Sequence, residues 1–323
     1  MKALCVFSGG LDSMLAAELT RAQDIDVLAL FFETPFFSSE KAQKSARLLD
    51  LPIHVVDITQ RHLEVIMNPR YGYGGNMNPC IDCHILMFRI AGEMLESEGA
   101  RFVVTGEVLG QRPMSQNKKA LALIAMESGI KDRLLRPLSA KKLPPTLPEE
   151  KGWVHRDKLM DFQGRSRKPQ MELARLLNIK EYPSPAGGCL LTEKSFSKRL
   201  RDLLDSRSKL ELNEIELLKL GRHFRIGPHT KAVVGRNKRE NQAILSLVRD
   251  KDCVLTSTAV PGPVTVVSGD CSKELLELAA NITAAYSDAE GGETTPVRII
   301  GKTGERAYTA KTYNKKEFRG YMI

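Results

Sequence analysis

An α/β fold, with a parallel sheet covered by helices on both faces and followed by a smaller α+β domain, is what three observations in this sequence predict. Through the first 140 or so residues, short apolar runs of strand length alternate with amphipathic stretches. A glycine-rich turn follows the first of these runs. Beyond about residue 206 the texture changes to closely spaced strands. At ~150 residues per domain, 323 residues suggest two domains, 1–205 and 206–323.

The elements follow in order. Runs 3–7, 26–32, 53–56 and 102–105 have the length and apolar content of strands buried on both faces. Segments 13–23, 39–49 and 83–99 between them read as helices. In the last, Met87, Ile90, Ala91 and Met94 recur at i, i+3, i+4 and i+7, one apolar stripe. Segments 120–126 and 133–138 add a helix and a strand. Pro137, Pro144, Pro145 and Pro148, ahead of Trp153, end the first sheet. Then come a short helix over 170–177, a loop over Pro183-Ser184-Pro185-Ala186-Gly187-Gly188, and helices over 196–204 and 211–220. Strands are expected at 232–234, 253–255, 264–267 and 297–300.

Composition narrows the class. With 42% apolar and 27% charged residues the chain is an ordinary folded protein. No apolar run approaches the ~18 residues a membrane span needs, so no membrane partner is expected. The apolar run at 3–7 is broken by Ser8-Gly9-Gly10 and Asp12, too early for a signal peptide. Six cysteines are too few for a disulfide scaffold, which makes a cytoplasmic protein the expectation. The net charge of +9 is uneven: 17 basic and 18 acidic residues lie in 1–150, 14 and 7 in 151–210, and 17 and 14 in 211–323. A basic centre in a balanced chain suits a polyanion.

Ser8-Gly9-Gly10-Leu11-Asp12-Ser13 stands after the first strand and opens a helix. Glycines let the backbone approach an anion, and Ser8, Ser13 and the free N–H groups of the helix start can donate to phosphate oxygens. Gly301-Lys302-Thr303 imitates the end of a Walker loop, but Pro296 occupies the place of its required glycine. The order S-G-G-x-D-S resembles the pyrophosphate loop (PP-loop) of ATP pyrophosphatases, the adenine nucleotide alpha-hydrolase-like fold. That likeness implies ATP, split to AMP and pyrophosphate, with Mg2+ screening the leaving group.

Cys80 and Cys83 form a C-x-x-C pair at the start of a helix, where the dipole would favour thiolates. By itself such a pair is redox-active, half a zinc site or a cluster corner; for zinc, His84 or His155 would have to join Cys189. Cys189 follows two glycines, and Cys5, Cys253 and Cys271 read as core residues.

Cys80-Ile81-Asp82-Cys83-His84 with its helix, followed by Val104-Thr105-Gly106-Glu107-Val108-Leu109-Gly110-Gln111, resembles the catalytic domain of tRNA 4-thiouridine synthetases (ThiI-type) over residues 1–140. The resemblance implies a tRNA sulfurtransferase that adenylates a uridine carbonyl and replaces its oxygen with sulfur. It assigns catalytic roles to Asp12, Cys80, Cys83 and Cys189. It assigns ATP binding to Ser8, Gly9, Gly10, Leu11, Asp12, Ser13, Gly106, Glu107 and Gln111. The three cysteines are implied to hold a 4Fe–4S cluster, to which soft thiolates are suited. With the phosphate loop at residue 8, the family's usual N-terminal tRNA-binding module is not expected here, nor is its terminal sulfur-carrying domain. An external sulfur donor is therefore expected: sulfide, a cysteine desulfurase or a sulfur carrier.

Val233-Val234-Gly235-Arg236-Asn237-Lys238-Arg239-Glu240-Asn241, with Pro261-Gly262-Pro263-Val264, resembles the RNA-binding domain of ribosome-quality-control factors of the NFACT type, over residues 215–323. That implies tRNA contacts from Arg222, Arg225, Arg236, Lys238 and Arg239, and also from Lys311, Lys315, Lys316 and Arg319. 4-Thiouridine is the expected product. The alternatives are 2-thiouridine formation, ATP-dependent amidation, and an RNA-binding protein with a vestigial nucleotide fold.

Overall fold

The computed structural model describes every residue except 185–188, 207–209 and 303, so part of the loop expected over 183–188 lies outside the described residues. The chain divides into two compact units, Met1–Thr192 and Glu193–Ile323. Among the described residues no helix is long and apolar enough to cross a membrane.

The first unit runs β1 (Lys2–Val6), α1 (Leu11–Arg21), β2 (Asp26–Glu33), α2 (Glu40–Leu48), β3 (Ile53–Asp57), α3 (Thr59–Met67), α4 (Cys80–Glu93), β4 (Phe102–Thr105), α5 (Lys118–Glu127), β5 (Leu134–Leu135), α6 (Leu147–Glu150) and α7 (Lys168–Leu176). Its sheet is wholly parallel, in the order β3-β2-β1-β4-β5. Alternation along β1 sends Ala3 and Cys5 into a core shared with α1 and α7, and Leu4 into an opposite core shared with α4 and α5. Both faces are thus covered, as the continuous apolar runs require. Because β2 and β4 flank β1 on opposite sides, the strand order reverses there, and a crevice opens at the carboxyl ends of β1 and β4.

Two elements differ from expectation. The nine-residue helix α3 was not anticipated; its start is fixed by Asp57, whose carboxylate accepts from the Thr59 N–H at 2.8 Å. The strand expected over 133–138 is only two residues long, because Arg136 turns inward to a buried carboxylate.

The second unit contains α8 (Lys194–Ser206), α9 (Leu212–Leu218), β6 (Arg222–Gly227), β7 (Thr230–Val234), α10 (Lys238–Leu245), β8 (Cys253–Ser257), β9 (Val264–Ser268), α11 (Lys273–Ala285), β10 (Thr294–Gly301), β11 (Gly304–Lys311) and a 3-10 turn, Lys315–Tyr321. Its antiparallel sheet has the order β11-β10-β8-β9-β7-β6, and α11 packs across it through Leu276, Ala279, Ala280 and Ile282. Gly301, the first residue of the Walker look-alike, pairs with Gly304 between β10 and β11, and Thr303 lies outside the described residues.

The unit boundary falls at 192/193 rather than at 206. Helix α8 goes with the second unit because Asp202 pairs with Arg225 and Lys231, and Arg199 donates to the carbonyls of Leu218 and Gly221.

Candidate functional site

The phosphate loop occupies the turn from β1 to α1. Gly9 has φ +70°, and a Cβ there would lie 2.6 Å from Ala42 Cα, so α2 crosses directly over the loop. Ser45 Oγ holds the Gly9 carbonyl at 2.8 Å, and Ser13 Oγ holds that of Gly10 at 2.8 Å. Ser8 Oγ lies 3.4 Å from Ser13 Oγ. The loop is held from behind, and its α1 end offers the unpaired N–H groups of a helix start.

Across the crevice, Gly106 follows β4. A Cβ on it would lie 2.5 Å from the Asp12 carbonyl and the Ser13 nitrogen, so only glycine lets the two loops touch. Gln111 Nε2 donates to Asp12 Oδ2 at 2.9 Å. Asp12 Oδ1 and Gln111 Oε1 are both buried with no partner. Burial raises the Asp12 pKa, while Gln111, Arg167 and Arg112 oppose the shift. Two orphaned oxygens facing a phosphate loop make a donor set that fits a hard divalent cation such as Mg2+.

Glu107 does not join this set. It is 4% exposed, and both its oxygens are engaged, Oε2 by Arg136 Nε at 2.8 Å and Oε1 by His84 Nδ1 at 2.8 Å. Burial alone would raise its pKa, but Arg136 and His84 outweigh it and hold the carboxyl below its ordinary value. Glu107 therefore locks α4 to the β4 loop, through His84 Nδ1 and Arg136 Nε.

Cys80 opens α4 and Cys83 lies one turn in. Cys189 arrives from far along the chain because the segment after it is stitched to two loops. Leu190 N–H donates to Phe36 O at 3.3 Å, Met77 N–H to Leu191 O at 3.2 Å, and Asn76 Nδ2 to Thr192 O at 2.7 Å. Cys83 lies within electrostatic reach of Cys189, Cys80 and Asp82, and Cys189 within reach of Cys80.

The expected thiolate preference is reversed. Burial pushes Cys189 up to about 11, raises Cys80, and lifts Cys83 well above its ordinary value. Desolvation outweighs the helix start here. His62 Nε2 sits 3.3 Å from Cys83 Sγ, but burial lowers its pKa to about 4, so it supplies no charge. Three half-buried thiols within electrostatic reach of one another suit a soft metal group, which would take their protons. Among the described residues, however, no three His, Cys, Asp or Glu side chains are gathered as a preformed metal site.

Two arginines were missed by sequence reasoning. Arg112 follows Gln111 and acts electrostatically on Asp12, Cys80 and Cys189; Arg167 acts on Asp12. The only sequence signal for Arg167 was its place in the basic 151–210 segment. Cys5 is a core residue with its thiol pushed up to about 12, and Cys253 is likewise buried. Cys271 is half-buried beside Cys253, packed against the same core.

In the second unit the basic residues separate. Arg225 is bidentate on Asp202, at 2.9 and 2.6 Å, and Arg236 is held by Glu240 at 2.6 Å, so both guanidiniums are already engaged. Lys238 and Arg239 are exposed at the start of α10. Arg222 lies over the Tyr286 ring.

Comparison with known proteins follows this division. Residues 1–142 match the family model of the thiamine biosynthesis protein (ThiI), and residues 221–322 that of the NFACT protein RNA binding domain. A probable tRNA sulfurtransferase of Caldanaerobacter subterraneus subsp. tengcongensis is 25% identical over 201 residues, covering 50% of this chain and 51% of that protein. One from Staphylococcus aureus (strain Newman) is 26% identical over 148 residues, 42% of this chain and 34% of that protein. The chain thus spans about half of the length of one of these curated relatives and about a third of the other. A solved 4-thiouridine synthetase–RNA complex with bound ATP aligns with TM-score 0.36 and 22% identity over 55% of this chain and 51% of that one. Residues 1–142 are thus similar to the ThiI family, and residues 221–322 to the NFACT RNA-binding domain.

Proposed function

We propose that the chain is a tRNA sulfurtransferase that activates a uridine carbonyl with ATP and exchanges its oxygen for sulfur, giving 4-thiouridine. The observation that carries this reading is the set of contacts made by the β4 loop. Gly106 packs on the Asp12 backbone, Gln111 donates to Asp12, and Glu107 is bonded to His84, the neighbour of Cys83 on α4, which supports placing nucleotide and sulfur chemistry side by side. The ThiI match over the same residues and the tRNA sulfurtransferase relatives support it.

In this mechanism the N–H groups at Gly9, Gly10 and Ser13 hold the polyphosphate. Asp12 and Gln111 present their unpaired oxygens to Mg2+. The uridine oxygen attacks the α-phosphorus and pyrophosphate leaves. Arg112 and Arg167 offset the charge that accumulates there. Sulfide sulfur, supplied by an external donor, then adds to the activated carbon and AMP departs with the former carbonyl oxygen. Cys80, Cys83 and Cys189 would hold a 4Fe–4S group, which would supply soft, Lewis-acidic iron chemistry suited to sulfur. His84, Glu107 and Arg136 keep α4 and its cysteines in register with the β4 loop.

The test is tRNA-dependent exchange of pyrophosphate into ATP, together with mass spectrometry of nucleosides from the treated tRNA. AMP formation with 4-thiouridine supports the reading, and 2-thiouridine would change the product. No ATP turnover in the presence of tRNA and sulfide would overturn it. Anaerobic reconstitution with iron and sulfide tests the cluster separately, by absorbance and by labile sulfide content.

A further inference from the structure

The second unit carries a cation–aromatic cluster that no ion pair explains. Arg222 begins β6, Tyr286 ends α11 and Lys315 begins the C-terminal 3-10 turn, so three elements meet at one ring. The Arg222 guanidinium carbon lies 4.8 Å from the Tyr286 centroid, and Lys315 Nζ lies 5.4 Å from it. The ring is fixed from below by the fully buried Phe224, centroid to centroid 5.8 Å. A second pair continues the surface: Lys311 Nζ stands 5.2 Å from the Tyr313 ring, itself packed on Phe318.

Charge balance distinguishes this surface from the rest of the unit. Arg225, Arg236 and Arg249 are each neutralised by carboxylates. Among the described residues neither Arg222, Lys311 nor Lys315 has a carboxylate within ion-pair distance, nor have the exposed Lys316 and Arg319 of the same turn. Glu317, the acid among them, is turned back to the Asn314 backbone as a cap. The negative end of α11 adds some attraction for Arg222 and Lys315, but it does not hold Lys311, which sits on β11.

We propose that Tyr286, with Arg222 and Lys315 held against its ring, is a grip for the phosphodiester backbone of single-stranded RNA, extended by Lys311 on Tyr313. Tyr286 is the positioning residue. It holds two long cationic side chains at a fixed spacing, which lowers the entropy they lose on meeting successive phosphates. The cations contribute salt-dependent, sequence-independent affinity, as counterion release requires. This rests on the RNA-binding reading of residues 221–322, and it narrows the expected contacts to those around Tyr286, leaving out the paired Arg225 and Arg236.

The test uses the full chain and two probes, an unmodified tRNA transcript and a fluorescent single-stranded RNA of about 20 nucleotides, titrated from about 50 to 300 mM salt. The Arg222→Ala/Lys315→Ala double variant should bind the single strand at least about tenfold more weakly at the low-salt end. Its slope of log affinity against log salt should be shallower by about 1.4, two phosphates at roughly 0.7 each. Tyr286→Leu keeps both charges and should lose only about threefold. Arg236→Ala, a paired arginine, should bind as the wild type does. A double variant with the wild-type slope overturns the grip, as does one that melts earlier yet keeps its slope. Binding of polyaspartate in preference to RNA overturns it in favour of an acidic-protein partner. Failure of the wild-type chain to bind either RNA rejects the RNA-binding reading itself.

Discussion

The two units prepare for anions by opposite means. In the first, the groups beside the phosphate loop are buried and their ionisation is displaced: Asp12 upward by desolvation, Glu107 downward by Arg136 and His84, the three thiols upward by burial. In the second, the cations around Tyr286 stand at the surface, held by rings rather than by carboxylates. A parallel sheet gathers its loops at one edge, where a small ligand can be surrounded. An antiparallel sheet with a helix across it offers a broad outer surface, which suits a long polymer. The first arrangement depends on geometry to a fraction of an ångström, the second on charge count and ionic strength.

That contrast can be broken, beginning with the largest effects. Asp12→Ala should lower ATP–pyrophosphate exchange by about 10²–10³-fold while leaving RNA binding intact, since it removes the unpartnered carboxylate oxygen of the phosphate loop and nothing in the second unit. Equal loss of both functions would erase the separation. Cys189→Ala should remove thiolation while ATP binding, followed by calorimetry, persists; undiminished thiolation would exclude this thiol from the sulfur step.

Glu107→Gln should cost about 3–5 kcal/mol in urea unfolding, because it leaves Arg136 buried without its counter-charge. The pH dependence has a definite sign. The folded carboxyl lies below its ordinary value of 4.5, so the stabilisation is complete above that value and is lost as pH falls through the folded one. The acid limb of stability should therefore be weaker in Glu107→Gln than in the wild type, and parallel curves would show that Glu107 does not carry it. Gly106→Ala should destabilise by about 1–3 kcal/mol and weaken ATP binding, because its Cβ would fall 2.5 Å from the Asp12 backbone. The smallest effect is expected from Lys238→Ala, which should change RNA affinity far less than the Arg222/Lys315 pair.

Much of the first unit was legible. Its strands are continuous apolar runs, and that pattern survives without tertiary knowledge because both faces are buried. The edges were harder to read. β6 carries arginines at 222 and 225, and β11 is exposed along most of its length, so neither has the alternation that marks a half-buried strand. Helix α11 was passed over although Leu276, Ala279, Ala280 and Thr283 recur on its buried face. Helix α8 was placed with the wrong unit because its partners, Arg225 and Lys231, lie more than twenty residues further on.

The site divides in the same way. The strand–turn–helix over Gly9 to Ser13 could be read from residue order, because glycines after a strand and before a helix set its local backbone. Where a charged side chain points could not be read. Glu107 looks like a ligand in its loop but is consumed by Arg136 and His84, and Arg225 looks like an RNA contact but is consumed by Asp202. By itself the sequence determined the alternating fold, the phosphate loop, the three candidate thiols and the surplus of positive charge. Only the tertiary structure decided that Gln111 closes on Asp12, that Cys189 comes within electrostatic reach of Cys83 beside the loops at Phe36 and Met77, and that the unpaired cations gather on Tyr286. Sequence order dictates local hydrogen bonding. Burial and pairing arise between segments far apart in the chain, and they settle which charges stay free to act.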